Sequence, residues 1–97
     1  MEELAELQKW YRAQCNEDWE HSFGISIDTL DNPGWKLSID LEDTNLEGKE
    51  FEEIEIDYES KYHWLTCKTK DNKFLGFCGP LELTKMIKIF VVWANGN

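Results

Sequence analysis

The chain has 97 residues, 41% hydrophobic and 13% aromatic, with 20 acidic residues against 10 basic ones and a formal net charge of −10. That length makes one domain, residues 1–97, with one core and room for one cleft. The acidity argues against a nucleic-acid binder, because phosphates demand Lys and Arg, and against an anionic membrane surface; a basic protein is the partner such a field attracts.

Residues 3–15 place Leu4, Leu7, Tyr11 and Cys15 on one helical stripe, with Trp10 and Gln14 beside it. Glu2, Glu3 and Glu6 at the start and Lys9 and Arg12 later suit the helix dipole, and Asn16 suits a left-handed cap. A polar loop leads to Trp19. Ile25 to Asp31 and Trp35 to Leu41 alternate apolar and polar residues as two strands of a hairpin. Ile27 and Ile39 share a face only if the loop has an odd number of residues. A loop of three would put Pro33 at the third position of a type I turn, which is disfavoured. A five-residue loop, Asp31 to Trp35, is therefore expected, with Ile27 opposite Ile39 and Asp28 opposite Ser38.

Residues 42–50 read as a loop and Phe51 to Glu59 as a third strand. His63 to Thr69 and Lys73 to Cys78 form a second hairpin over Asp71-Asn72, a dipeptide suited to a primed turn. Pairing Lys70 with Lys73 puts Leu65, Cys67, Phe74 and Cys78 on one face and Trp64, Thr66, Leu75 and Phe77 on the other. Gly79-Pro80 breaks the strand and Pro80 suits a helix start. Leu83, Met86, Ile87, Phe90 and Val91 form the inward stripe of a closing helix that ends near Asn95-Gly96. The expected fold is α+β: a five-stranded antiparallel meander with the N-terminal and C-terminal helices packed on one face.

The other face would then carry Asp28 and Asp40 from the first hairpin and Glu53, Glu55, Asp57 and Glu59 from the third strand. Six carboxylates there could receive a basic partner, or form an ordinary solvated face. Trp64, Leu75 and Phe77 beside them are either interface anchors or core beneath the 42–50 loop. Glu17, Asp18, Glu20 and His21, even with Asp28, Asp31 and His63, match no metal-ligand spacing, and a capping hydrogen bond near Trp19 is the simpler role for Glu20. Cys15, Cys67 and Cys78 are odd in number, lack a Cys-x-x-Cys pair and lie on apolar faces, so disulfide, zinc and thiolate chemistry are all disfavoured. Phosphate-binding, serine-hydrolase and zinc-protease motifs are absent, and no cofactor is expected. The acidic Met1-Glu2-Glu3 start does not suit a signal peptide and Ile89 to Ala94 is too short an apolar run to span a bilayer, so a cytoplasmic address is expected.

Leu7-Gln8-Lys9-Trp10-Tyr11, Cys15, Trp19-Glu20-His21, Gly24-Ile25 and the run from Ile27 to Trp35 together resemble the immunity protein 53 family. Ile39-Asp40-Leu41, Thr44, Trp64, Cys67, Phe90 and Trp93 extend the resemblance over nearly the whole chain; Trp19 to Trp35 is its specific part. The resemblance implies a bacterial immunity protein of a polymorphic toxin system, which binds a cognate toxin domain and blocks it. With the acidity of the chain, that toxin is expected to be basic, such as a nuclease, and to be occluded without catalysis. Asp28, Asp40, Glu53, Glu55, Asp57, Glu59, Trp64 and Phe77 are the expected contacts. The rival readings are a small cytosolic adaptor and an enzyme working through His21, Glu20 or a cysteine.

Overall fold

The computed structural model describes residues 2–56 and 59–96. In chain order the elements are α1 (Glu2–Gln14), α2 (Trp19–Ser22), β1 (Ile25–Leu30), β2 (Gly34–Asp40), β3 (Ile54–Ile56), β4 (Leu65–Lys70), β5 (Lys73–Cys78) and α3 (Leu83–Ala94). The five strands form one antiparallel sheet in the order β1-β2-β5-β4-β3. The α+β class and the strand number are as expected. The connectivity differs from a plain meander, because β5 docks on β2 and residues 41–53 carry the chain to the far edge. Burial accounts for this order. Leu37 and Ile39 of β2 and Phe74 and Cys78 of β5 are fully buried and need neighbours on both sides. The third strand is three residues long and flanked by exposed carboxylates, which suits an edge.

The β4–β5 hairpin has the expected register, Lys70 opposite Lys73, and Asp71 (φ 53°) and Asn72 (φ 60°) both take the left-handed conformation of a primed turn. The first hairpin does not. Leu30 pairs with Gly34, Ile27 with Leu37 and Asp28 with Lys36, so its loop is the three residues Asp31 to Pro33 rather than five. The Asn32–Pro33 peptide is cis, the form in which proline occupies the third position of a tight turn. The odd loop length still leaves Ile25, Ile27, Leu37 and Ile39 on one face, as the alternation requires.

The first and third helices lie side by side on that face and run in the same direction. Leu4 lies by Leu83 and Ile87 at one end, and Trp10 and Gln14 lie by Ala94 at the other. Phe90 packs edge-on against Trp10 (5.0 Å) and against Phe74 (5.1 Å), joining both helices to the sheet. The inward stripe of α3 is the expected one, although the helix begins at Leu83 instead of Pro80. The stripe of α1 is rotated from expectation. Leu7 and Trp10 are buried, while Leu4 and Tyr11 are 37% and 38% exposed. Trp10 decides the rotation, because it meets both Phe90 and Trp19. The third strand is shorter than Phe51 to Glu59. Phe51 instead turns inward against Phe74 (5.2 Å) and Trp93 (5.3 Å), and Asp57 and Tyr58 lie outside the described residues.

Candidate functional site

The residues that might have carried chemistry are committed to structure. After α1, Glu17 (φ 74°), not Asn16, takes the left-handed conformation. Asn16 Oδ1 instead accepts from the backbone N–H groups of Asp18 (3.0 Å) and Trp19 (2.8 Å). The Glu20 carboxylate accepts from the N–H groups of Asn16 (2.9 Å) and Glu17 (2.8 Å), so its bonds lie near Trp19 as expected but tie down the connection before α2 and not the helix cap. Hydrogen bonding to its own backbone first, then to those of Asn16 and Glu17, holds its pKa below the ordinary carboxylate value. His21 is exposed, and among the described residues no three His, Cys, Asp or Glu side chains converge as metal ligands would. Burial, with Cys78 nearby, pushes the Cys67 thiol up to about 12. Burial also pushes Cys78 up to about 11, assisted by the Glu82 charge and opposed by a hydrogen bond to the Trp35 backbone. Cys15 donates its thiol to the Tyr11 carbonyl (3.3 Å).

The open sheet face is mixed in charge. Asp28, Asp40 and Glu55 share it, as expected, but Lys36, Lys68, Lys70 and Lys73 share it too. Each lysine takes an outward position of its own strand, Lys36 on β2, Lys68 and Lys70 on β4 and Lys73 on β5, and the strand order sets which carboxylates they adjoin. Asp28 sits opposite Lys36 and accepts from Ser26 Oγ (2.9 Å). Asp40 accepts from Lys73 Nζ and from the Gly24 N–H (2.9 Å). Trp64, Leu75 and Phe77 lie half-buried on this face, and Lys36 Nζ stands 5.9 Å from the centre of the Phe77 ring. The 42–50 loop does not cover them. It packs on the helical side, where Trp19 Nε1 donates to the Glu42 carbonyl (2.9 Å) and Trp93 Nε1 to that of Glu50 (2.8 Å).

The acid is concentrated elsewhere. Residues 42–59 hold nine acidic side chains and one basic one, Lys49, whereas residues 60–97 hold six lysines and two acids. Lys49 is itself engaged, donating to the Trp93 carbonyl (2.9 Å) at the C-terminal end of α3 and lying 5.6 Å from the Trp93 ring centre. Among the described residues the ion pairs are Lys9–Glu6, Lys73–Asp40 and Lys85–Glu82, and His63 Nδ1 lies 3.4 Å from Glu82 Oε1. None uses a carboxylate of residues 42–56. Glu53, Glu55 and Glu59 are exposed on this stretch, and Asp57 lies outside the described residues.

A second feature borders the same edge. Packed helices sit roughly 10 Å apart and strands about 4.8 Å apart, so two helices shield about four strands of five. Both edges of the sheet stay partly open on this side, at β1, where Ile27 is 39% exposed, and at β3. At the second of these, the outer stripe of α3 and the inner side of β3 bound an apolar groove of about 540 Å³, with Phe51, Ile54, Ile89, Val92 and Trp93 in its walls. Glu52 stands at one rim and Lys85 and Lys88 at the other, and Val92 is 46% exposed. The sequence reading assigned this groove no role. Its signal was in α3, where Ile89 and Val92 lie three residues apart and outside the inward stripe, making the helix apolar over more than one face.

No curated protein and no solved structure matches the chain. Among the described residues no helix is long and apolar enough to cross a membrane. The family model described as Immunity protein 53 matches residues 4–95, nearly the full length, from the first turn of α1 to just past the end of α3. The chain therefore belongs to the immunity protein 53 family.

Proposed function

We propose that this protein binds the cognate toxin domain of a polymorphic toxin system one to one, in the cytoplasm of the producing bacterium, and neutralises it by covering a surface the toxin needs. Family membership supplies the immunity role. The observation that carries the rest is the segregation of charge: nine acids in residues 42–59 face a single lysine that is already bound to α3. Like charges so close together repel, and an external cation-rich surface offsets that repulsion while speeding encounter. A toxin that grips nucleic-acid phosphates presents such a surface. Glu53, Glu55, Asp57 and Glu59 steer the approach, with Trp64 and Phe77 as contacts on the adjoining open face. Asp28 and Asp40 serve mainly the fold, through Ser26, Gly24 and Lys73. The protein acts by occlusion and needs no nucleophile: two of its thiols are buried and Glu20 is tied to the backbone.

The test is co-expression with the toxin domain encoded beside it. The expected result is a one-to-one complex that restores growth. Changing Glu53 and Glu55 together to Lys should slow association by about tenfold or more and flatten its dependence on salt, as loss of steering does. An unchanged association rate would refute the role given to the acidic edge.

A further inference from the structure

The groove beside β3 is a seat with a defined polarity. Its floor and walls are apolar, and its two sides carry opposite charge: Glu52 on the strand side, and Lys85 and Lys88 on the helix side. Lys85, Lys88, Ile89 and Val92 follow the i, i+3, i+4, i+7 spacing, so they form one straight stripe along α3. A stripe of this kind is what one helix offers to another lying alongside it. The helical layer above the sheet also leaves the inner side of β3 partly uncovered.

We propose that this groove seats an amphipathic α-helix of a protein partner. Its apolar side chains fill the space between Ile54, Val92 and Trp93, its basic flank faces Glu52 and its acidic flank faces Lys85 and Lys88. The partner helix extends the layer begun by α1 and α3. The identity of the partner as the toxin rests on the reading above; the shape and polarity of the seat do not. Helix-in-groove recognition of this sort draws affinity from a few buried apolar anchors, and charge at the rims sets orientation.

Two synthetic peptides make the probe. Each is a helix-forming sequence of about 16 residues with a Leu stripe; one has Arg on one flank and Glu on the other, and the second has the flanks exchanged. Each is titrated into the isotope-labelled full chain while amide and indole resonances are followed. The matched peptide should shift Ile54, Ile89, Val92 and the Trp93 indole and should bind about tenfold tighter than its exchanged counterpart. V92E should weaken it about tenfold or more at an unchanged melting temperature. The exposed pair K85E/K88E, a second variant that leaves the apolar walls intact, should abolish the preference between the peptides. If neither peptide shifts the groove, or both bind equally to the unmodified protein, the proposal is overturned. Titration of the co-expressed toxin domain separates the two readings. Peptide binding in the groove without any toxin complex would overturn the toxin assignment and leave the seat standing. A toxin complex unaffected by V92E would place the toxin elsewhere and overturn the groove as its anchor.

Discussion

Gly34→Ala tests how closely β2 and β5 are fitted. Gly34 does not occupy the left-handed region, so its backbone would accept any residue. The constraint is space. A Cβ at this position would overlap the Cys78 carbonyl oxygen, far inside the 3.0 Å that real Cβ atoms respect, and would also stand 3.3 Å from Cζ2 of Trp64. A side chain could swing aside, but this obstacle is main chain. It is held by the pairing of Trp35 with Cys78 and by the Gly79 N–H donating to the Trp64 carbonyl (2.8 Å). The strands must therefore part locally. Overpacking of this kind costs about 1–3 kcal/mol, and the stiffer unfolded chain returns about 0.4–1 kcal/mol. The net loss of about 1–2 kcal/mol corresponds to a melting temperature lower by roughly 5–15 °C for a domain of this size. Gly24→Ala is the control, because a Cβ there meets nothing within 4 Å. It should leave stability unchanged or raise it by up to about 1 kcal/mol. Thermal and urea unfolding followed by circular dichroism measures both. A Gly34→Ala protein melting within about 2 °C of the unmodified chain would refute the steric argument.

Two further outcomes follow from the titratable groups. The depressed Glu20 carboxyl contributes stability that is fully present above its unfolded value of 4.5 and is lost as pH falls through the lower folded value. Stability curves of the unmodified protein and Glu20→Gln should therefore converge below pH 4.5; parallel curves would show that the Glu20 hydrogen bonds carry no charge-dependent stabilisation. The raised thiols behave in the opposite sense, since burial favours the protonated form. Their contribution is intact below the ordinary value of 9.0 and is lost as pH rises towards about 11 and about 12. At pH 8 a disulfide reagent should titrate Cys15 quickly and Cys67 and Cys78 only on unfolding; three equally fast thiols would contradict their burial.

Local pattern was enough for most of the fold. The Asp71-Asn72 turn, both faces of the β4–β5 hairpin and the inward stripe of α3 depend on neighbours in sequence, and each was legible. What depended on distant partners was not. The rotation of α1 is set by Trp10 meeting Phe90, a contact across 80 positions of chain. The lysines of the open face are recorded in the alternation of their own strands, but which carboxylates they adjoin follows from the insertion of β4 and β5 between β2 and β3. The hairpin loop has three residues and not the expected five because its Asn32–Pro33 peptide is cis, which admits Pro33 at the third position of the turn. The groove went unseen for a related reason. Ile89 and Val92 look like surplus apolar residues until the helical layer is found to stop short of β3.

The residues that carry the family resemblance and the surface proposed for binding are largely different sets, and the structure supplies a reason. Trp19 is buried and its indole is bonded to Glu42; the Trp35 indole is bonded to the Pro80 carbonyl (3.1 Å); Gly34 is held by close approach. Each of these joins segments far apart in the chain, so a change at any of them disturbs the frame. Residues 42–59 impose fewer such demands. Leu46, Phe51 and Ile54 anchor the stretch inward, while the carboxylates between them touch little of the fold. The helix side of the groove is similarly unconstrained by the core, since Lys85 and Lys88 sit on the exposed side of α3 and Lys85 pairs with Glu82, one turn away. A protein that must match one particular toxin needs a surface whose residues can change without cost to the core. The acidic edge and the adjoining groove meet that requirement, and the Trp19 to Trp35 block does not. Substitutions along residues 42–59 and at Lys85, Lys88 and Val92 are therefore the ones expected to alter which toxin is bound while leaving the melting temperature unchanged.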